Sequence, residues 1–277
     1  MKILNLGSLN FDRVYAVDQF VSAGQTILST GYEEFMGGKG LNQSMALAKA
    51  GVEVYQGGMI GEDGQVFLDA CAEYGVRADY IRQVPGKSGH AVIQRDKNAQ
   101  NCILLYGGAN HCLTEEFVDE VLSHFEKDDI LLLQNEVNLL PYIIDKAYEK
   151  GMQIALNPSP FDDKLNACDL SKISIFLLNE IEGGQITGEQ HTAILHPNIF
   201  HIHPAQFIPV SGIIPVQSPE SGKTLRIHTA QTSNEIVHRL HLFRLGGRRK
   251  YHRPLYSGKV HVPEQILRQS IAFPFEM

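Results

Sequence analysis

The stretch FMGGKGLNQSMALAKAG, residues 35–51, decides how the chain is read. Gly37, Gly38 and Gly40 surround Lys39 and lead into a helical pattern. Leu41, Met45, Leu47 and Ala48 fall roughly on one side of that helix. A glycine turn that opens a helix offers backbone N–H groups to a ligand. The stretch is not a Walker A loop, which needs Ser or Thr after the lysine, and it is not GxGxxG. Taken alone, it reads first as a tight turn with a solvated Lys39.

Outward from it, residues 1–190 alternate strand and helix. KILNLGS reads as a short buried strand, VEVYQGGMIG as a strand and DGQVFLDACAEYG as a helix closed by Gly75. DILLLQNE, MQIALNPSP and ISIFLLNE read as further strands, with LLPYIIDKAYEKG a helix between the first two. Thr114 is placed to N-cap a helix whose first turn carries Glu115 and Glu116. Such alternation predicts an α/β fold, a mainly parallel sheet with helices on both faces, its strands at 2–7, 129–134, 152–157 and 173–178 pairing in parallel. Ligands in such sheets bind beyond the carboxyl ends of the strands. Segments 13–35 and 88–107 break the alternation and read as a small β lid, with KNAQ a hairpin turn.

The strand-end residues, taken together and in order, carry a resemblance. Asn10-Phe11-Asp12 follows the first strand, and Gly37 to Asn42 opens the helix. GGMIGEDG follows, then Gly108-Ala109-Asn110, Glu136 at a strand end, Asn157 to Pro160, and Asn179 with Glu182. These features resemble the ribokinase (PfkB-type) family of carbohydrate kinases. The resemblance implies a ribokinase-like fold over 1–190 and ATP-dependent phosphoryl transfer to a small sugar hydroxyl. It makes the opening stretch part of a sugar clamp of Asn10, Asp12, Gly38, Lys39, Gly40, Asn42 and Glu136. Carboxylates and amides suit polyols because each hydroxyl both donates and accepts. Asn179 and Glu182 are implied on the nucleotide side, with Glu182 toward the Mg²⁺ that accompanies ATP, an all-oxygen site. A homodimer through the lid is also implied; the apolar lid face of Val14, Val92, Ile103 and Leu105 is consistent with it and equally with packing on the lid's own domain.

Beyond residue 190 the composition changes. Residues 1–190 hold 14 Lys/Arg against 27 Asp/Glu, whereas 191–277 hold 10 against 4, nine of the twelve histidines, and no aspartate; the last is Asp169. The family's Asp-Thr-x-Gly/Ala-Ala-Gly-Asp segment, whose second Asp takes the proton from the sugar hydroxyl, has no counterpart there. The resemblance therefore predicts impaired phosphoryl transfer, with a catalytically dead sugar-binding protein as the alternative. An out-of-frame tail accounts for the composition. Codons permitted for Val237 to Arg249 read, one frame over, as Tyr-Ile-Gly-Tyr-Ile-Tyr-Ser-Gly-Leu-Ala-Ala-Glu-Gly, similar to the helix after the catalytic Asp. SPESGKT (218–224) lacks the first P-loop glycine. His196, His201 and His203 lack further ligands at metal spacing. GGRRKYHR (246–253) is a basic run without a nucleic-acid-binding fold signal.

The remaining composition is that of an ordinary globule. The apolar fraction is 43% and the net charge −7. No apolar run reaches the roughly 18 residues of a membrane span, and the N-terminus lacks a signal-peptide core. Cys71, Cys102, Cys112 and Cys168 show no CxxC spacing and read as free thiols in a reducing cytoplasm.

Overall fold

A computed structural model describes residues 1–178, 182 and 185–186, and the strands at 206–209, 213–217 and 224–228. The chain divides into two compact units, Met1–Leu245 and Gly246–Met277, the second wholly outside the described residues. The strongly apolar runs form a parallel sheet. Its strands are β1 (Ile3–Leu6), β4 (Val54–Ile60), β5 (Arg77–Gln83), β8 (Ile130–Gln134), β9 (Gln153–Asn157), β10 (Ile175–Leu178) and β11 (Gln206–Pro209). Their order across the sheet is β11-β10-β9-β8-β1-β4-β5, every neighbouring pair parallel. β1 lies between β8 and β4, with Ile3 opposite both Ile130 and Val54.

Both faces of this sheet are covered, which is why β8 and β10 are buried at every position. On one face α3 (Glu115–Ser123) and α4 (Leu140–Glu149) contribute Phe117, Val121, Ile143 and Ile144 to a core with Leu4, Leu131 and Ile154. On the other, α1 (Lys39–Lys49) and α2 (Gln65–Tyr74) contribute Leu41, Leu47, Phe67 and Cys71, packed with Ile3, Ile130 and Leu132. Met45 and Ala48 pack at the edge of the same cluster. Each fully buried side chain of this size stabilises the fold by roughly 1.5–3 kcal/mol. Thr114 caps α3 through the Phe117 N–H, and Gly75 ends α2 in the left-handed conformation.

The lid is a separate four-stranded sheet of β2 (Asn10–Ala16), β3 (Gly31–Gly37), β6 (Gly89–Arg95) and β7 (Asn101–Tyr106), in the order β3-β2-β6-β7. Its strands begin at Asn10 and end at Gly37, wider than the expected 13–35, because the pairing runs down to the glycines that join the lid to the main sheet. Phe11 packs its ring, tilted by 50°, against Phe67 of α2, centroids 4.7 Å apart, at the lid's root. Val14 is buried, whereas Phe35, Ile103 and Leu105 are exposed.

Within the tail, β11 extends the main sheet, and β12 (Ile213–Gln217) and β13 (Thr224–His228) form an antiparallel pair. His196, His201, His203, residues 218–223 of SPESGKT and the basic run lie outside the described residues. No helix among the described residues is long and apolar enough to cross a membrane.

Candidate active site

The glycine turn sits where β1 and β8 end and β2 begins. Gly38 adopts φ 92°, and a Cβ there would meet Ser8 O at 2.9 Å and Asn10 N at 3.0 Å. Gly40 is closer still: its Cβ would lie 2.5 Å from Ser8 N and 2.6 Å from Gly7 C. Only glycine lets the start of α1 rest directly on the backbone after β1.

The first N–H groups of a helix have no partner inside it. Here they are taken by the protein's own side chains. Lys39 N–H donates to Glu136 Oε2 at 3.1 Å, and Gly40 N–H to Ser8 Oγ at 3.2 Å. Ser8 Oγ also donates to Glu136 Oε2. Lys39 Nζ completes the arrangement by pairing with Glu136 Oε1 at 2.6 Å. The carboxylate at this helix N-terminus is therefore Glu136 itself, favourably placed against the helix dipole. Its side chain is 7% exposed and that of Lys39 35%, so the lysine faces outward with donors to spare.

Asp12 projects from β2 into the same region. Gly37 lies beside it, and a Cβ on Gly37 would fall 2.0 Å from Asp12 Oδ2. Burial pushes the Asp12 carboxyl above its ordinary value; the Glu136 charge pushes the same way and Lys39 opposes. Asn10 is buried at the lid's root, and Asn42 is exposed on the first turn of α1 with its backbone N–H bonded to Gly38 O at 3.0 Å. Asn10, Asp12, Gly38, Lys39, Gly40 and Glu136 are thus gathered between the lid and the carboxyl ends of β1 and β8. Glu182 is buried and helical. Asn179 lies outside the described residues. Among the described residues no group of three or more His, Cys, Asp or Glu could hold a metal ion.

Ser8 had no place in the sequence reading, although it joins Glu136 to α1. A buried polar network behind the clamp was missed as well. Asn5 Nδ2 donates to Gly40 O at 2.7 Å and Ser44 Oγ at 2.8 Å; Ser44 donates to Gln56; Gln134 Nε2 donates to Asn5 and to Gln43. The available signal was a polar residue inside an apolar strand, Asn5 in ILNL and Gln134 in ILLLQ. Gln134 Oε1 alone among the described buried side-chain atoms has no hydrogen-bond partner.

Comparison with known proteins places the sequence and the fold. The pattern of the pfkB family carbohydrate kinases matches residues 1–199. The ribokinase of Haemophilus influenzae is 34% identical over 208 residues, covering 71% of this chain and 67% of that protein. The deoxyribokinase of Salmonella typhi is 31% identical over 195 residues, covering 68% and 63%. The crystal structure of the Cryptococcus neoformans ribokinase in complex with ADP superposes with a TM-score of 0.63 at 31% identity, covering 72% of this chain and 67% of that one. Matches to the first curated relatives span 54–67% of those proteins' own lengths. A family pattern over residues 1–199, relatives above 30% identity and a shared fold agree: the chain belongs to the pfkB family of carbohydrate kinases.

Proposed function

We propose that this chain binds a small sugar between its lid and the ends of β1 and β8, as an ATP-dependent sugar kinase whose phosphoryl transfer is impaired. The observation that carries the sugar site is the convergence of Asp12, Lys39 and Glu136, a carboxylate, an ammonium and a second carboxylate beside the glycine turn at the start of α1. Acceptors and donors side by side suit vicinal hydroxyls, each of which donates once and accepts. Asn10 and Asn42 supply amides at the edges. Ribose and deoxyribose are the first sugars to test, because relatives bear the names ribokinase and deoxyribokinase.

ATP is the phosphoryl donor in this reading, with Asn179 and Glu182 on its side. Glu182 offers a carboxylate oxygen, the hard donor type that Mg²⁺ takes, so the residue fits that ion's chemistry. The protein acts in the cytoplasm, and a second copy covers the lid face that exposes Phe35, Ile103 and Leu105.

A second reading, a sugar-binding protein without catalysis, is favoured by the absence of any aspartate after Asp169. Calorimetry with ribose and deoxyribose, run beside an ADP-release assay, separates the two. Binding with slow turnover supports the first reading, binding with none the second, and no binding overturns both. Resequencing the gene tests the out-of-frame origin of the tail: an intact frame with no kinase-like alternative would refute it.

A further inference from the structure

We infer that Asn110 is a positioning residue that fixes the side-chain amide of Asn10 with its NH₂ group, rather than its oxygen, toward the sugar. The inference rests on the sugar-clamp reading above. After the lid returns through β7, a 3₁₀ turn at Gly108–His111 brings Asn110 back under β2, where it is 2% exposed. Its amide orientation is forced. The Leu9 backbone N–H can only donate, and it meets Asn110 Oδ1 at 3.0 Å. Asn110 Nδ2 is then the donor, and it lies 2.7 Å from the amide oxygen of Asn10. The same NH₂ group reaches Leu9 O at 3.4 Å.

Asn10 therefore spends its acceptor on Asn110. Among the described residues nothing accepts from its Nδ2, which is left for a ligand. The hydroxyl it meets is read as an acceptor, whereas the Asp12 carboxylate reads a donor. One side of the clamp thus has a set polarity, and Asn110 sets it without touching the sugar. Gly89 makes room for the pair: a Cβ at 89 would lie 2.1 Å from Asn110 Nδ2 and 2.2 Å from Asn10 Oδ1. That glycine, at the root of β6, is explained by the amide pair and not by any unusual backbone angle.

Two experiments test the inference. In ¹⁵N-labelled wild-type chain without sugar, the side-chain NH₂ of Asn110 should exchange with solvent far more slowly than that of exposed Asn42. Equal rates would overturn the pair outright, whatever the chain binds. In ribose calorimetry, Asn110→Asp keeps the acceptor for Leu9 and loses the donor to Asn10. It should weaken binding about 5- to 100-fold, the range for leaving a buried polar group mispaired. In an Asn10→Ala background the same change should cost nothing further, because its route to the sugar is gone. Additive losses would assign Asn110 a merely structural role and overturn the inference. Gly89→Ala, which pushes the pair apart by another means, should behave like Asn110→Asp if the latter fails to fold. A wild-type chain that binds no ribose would instead refute the sugar clamp, leaving the exchange measurement to decide the amide pair.

Discussion

At the scale of single residues, the proposed sugar-binding role places opposite demands on Asp12. A carboxylate that accepts two hydroxyls must be ionised, yet burial and the neighbouring Glu136 charge both raise its pKa, with Lys39 opposing. In the folded chain without sugar the charge is a cost. Between the unfolded value of 3.8 and the higher folded value, the native state holds more protons than the unfolded one. Stability contributed by this group therefore falls as pH rises through that window. Asp12→Asn removes the cost while keeping the shape. We expect a higher Tm than wild type at neutral pH and ribose binding weakened about 10- to 150-fold for each charged hydrogen bond lost. Wild-type affinity should also fall on acidification, beginning above the pH at which an ordinary aspartate titrates, and this step should be absent in Asp12→Asn. Calorimetry across pH, beside thermal melts of both proteins, reads all three outcomes. A variant with wild-type ribose affinity would remove Asp12 from the site. Asp12 was legible in the sequence because it ends a motif; the strain on its ionisation was not, since that depends on Glu136, distant in sequence.

At the scale of elements, the junction of β1 and α1 sets the geometry of the clamp. Gly40 leaves no room for a methyl group between it and the backbone of Gly7 and Ser8. Gly40→Ala should lift the start of α1 away from β1, break the Gly40 N–H bond to Ser8 Oγ and displace Lys39 from Glu136. Overpacking of this kind costs about 1–3 kcal/mol, and more where the neighbour is backbone. The expected readouts are a Tm lowered by several degrees and ribose binding lost. A variant with unchanged melting and affinity would show that α1 tolerates the shift. Long apolar runs such as ILLLQ and QIALN announced the parallel sheet plainly, and the lid was marked by broken alternation. The strand β5 escaped, because RADYIRQ at the sheet edge is half polar and largely exposed, with no buried period to read. The roles of Ser8 and Gln134 escaped for a different reason: what they bond is fixed only when strands far apart in sequence are laid side by side.

At the scale of the whole molecule, the proposed reading separates the binding half of a kinase from its chemical half. The clamp residues lie within the part matched by the family, and β11 continues the main sheet past residue 200. The residue that would take the proton from the attacking hydroxyl belongs, by family resemblance, to a glycine-rich turn before a late helix. No aspartate occurs after Asp169 to fill that place. Glu220, Glu235 and Glu264 are the internal carboxylates of the tail, and none follows a glycine-rich Gly/Ala-Ala-Gly segment in the sequence. A general base contributes typically 10²–10⁴-fold, provided it reaches the proton it removes. Losing backbone donors to the transferring group costs on the order of another 10²–10³. Groups that act as a unit do not multiply, so the expected deficit is at least about 10³-fold rather than the product. The purified chain should therefore bind ribose yet release ADP at least about 10³-fold more slowly than an intact family member under the same conditions. Restoring the alternate reading frame beyond residue 190 should recover turnover without changing ribose affinity more than a few-fold. Sugar-dependent ADP release by the chain as it stands at about 1–100 s⁻¹, the ordinary range for kinases, would overturn the impairment and with it the reading of the tail as lacking a base.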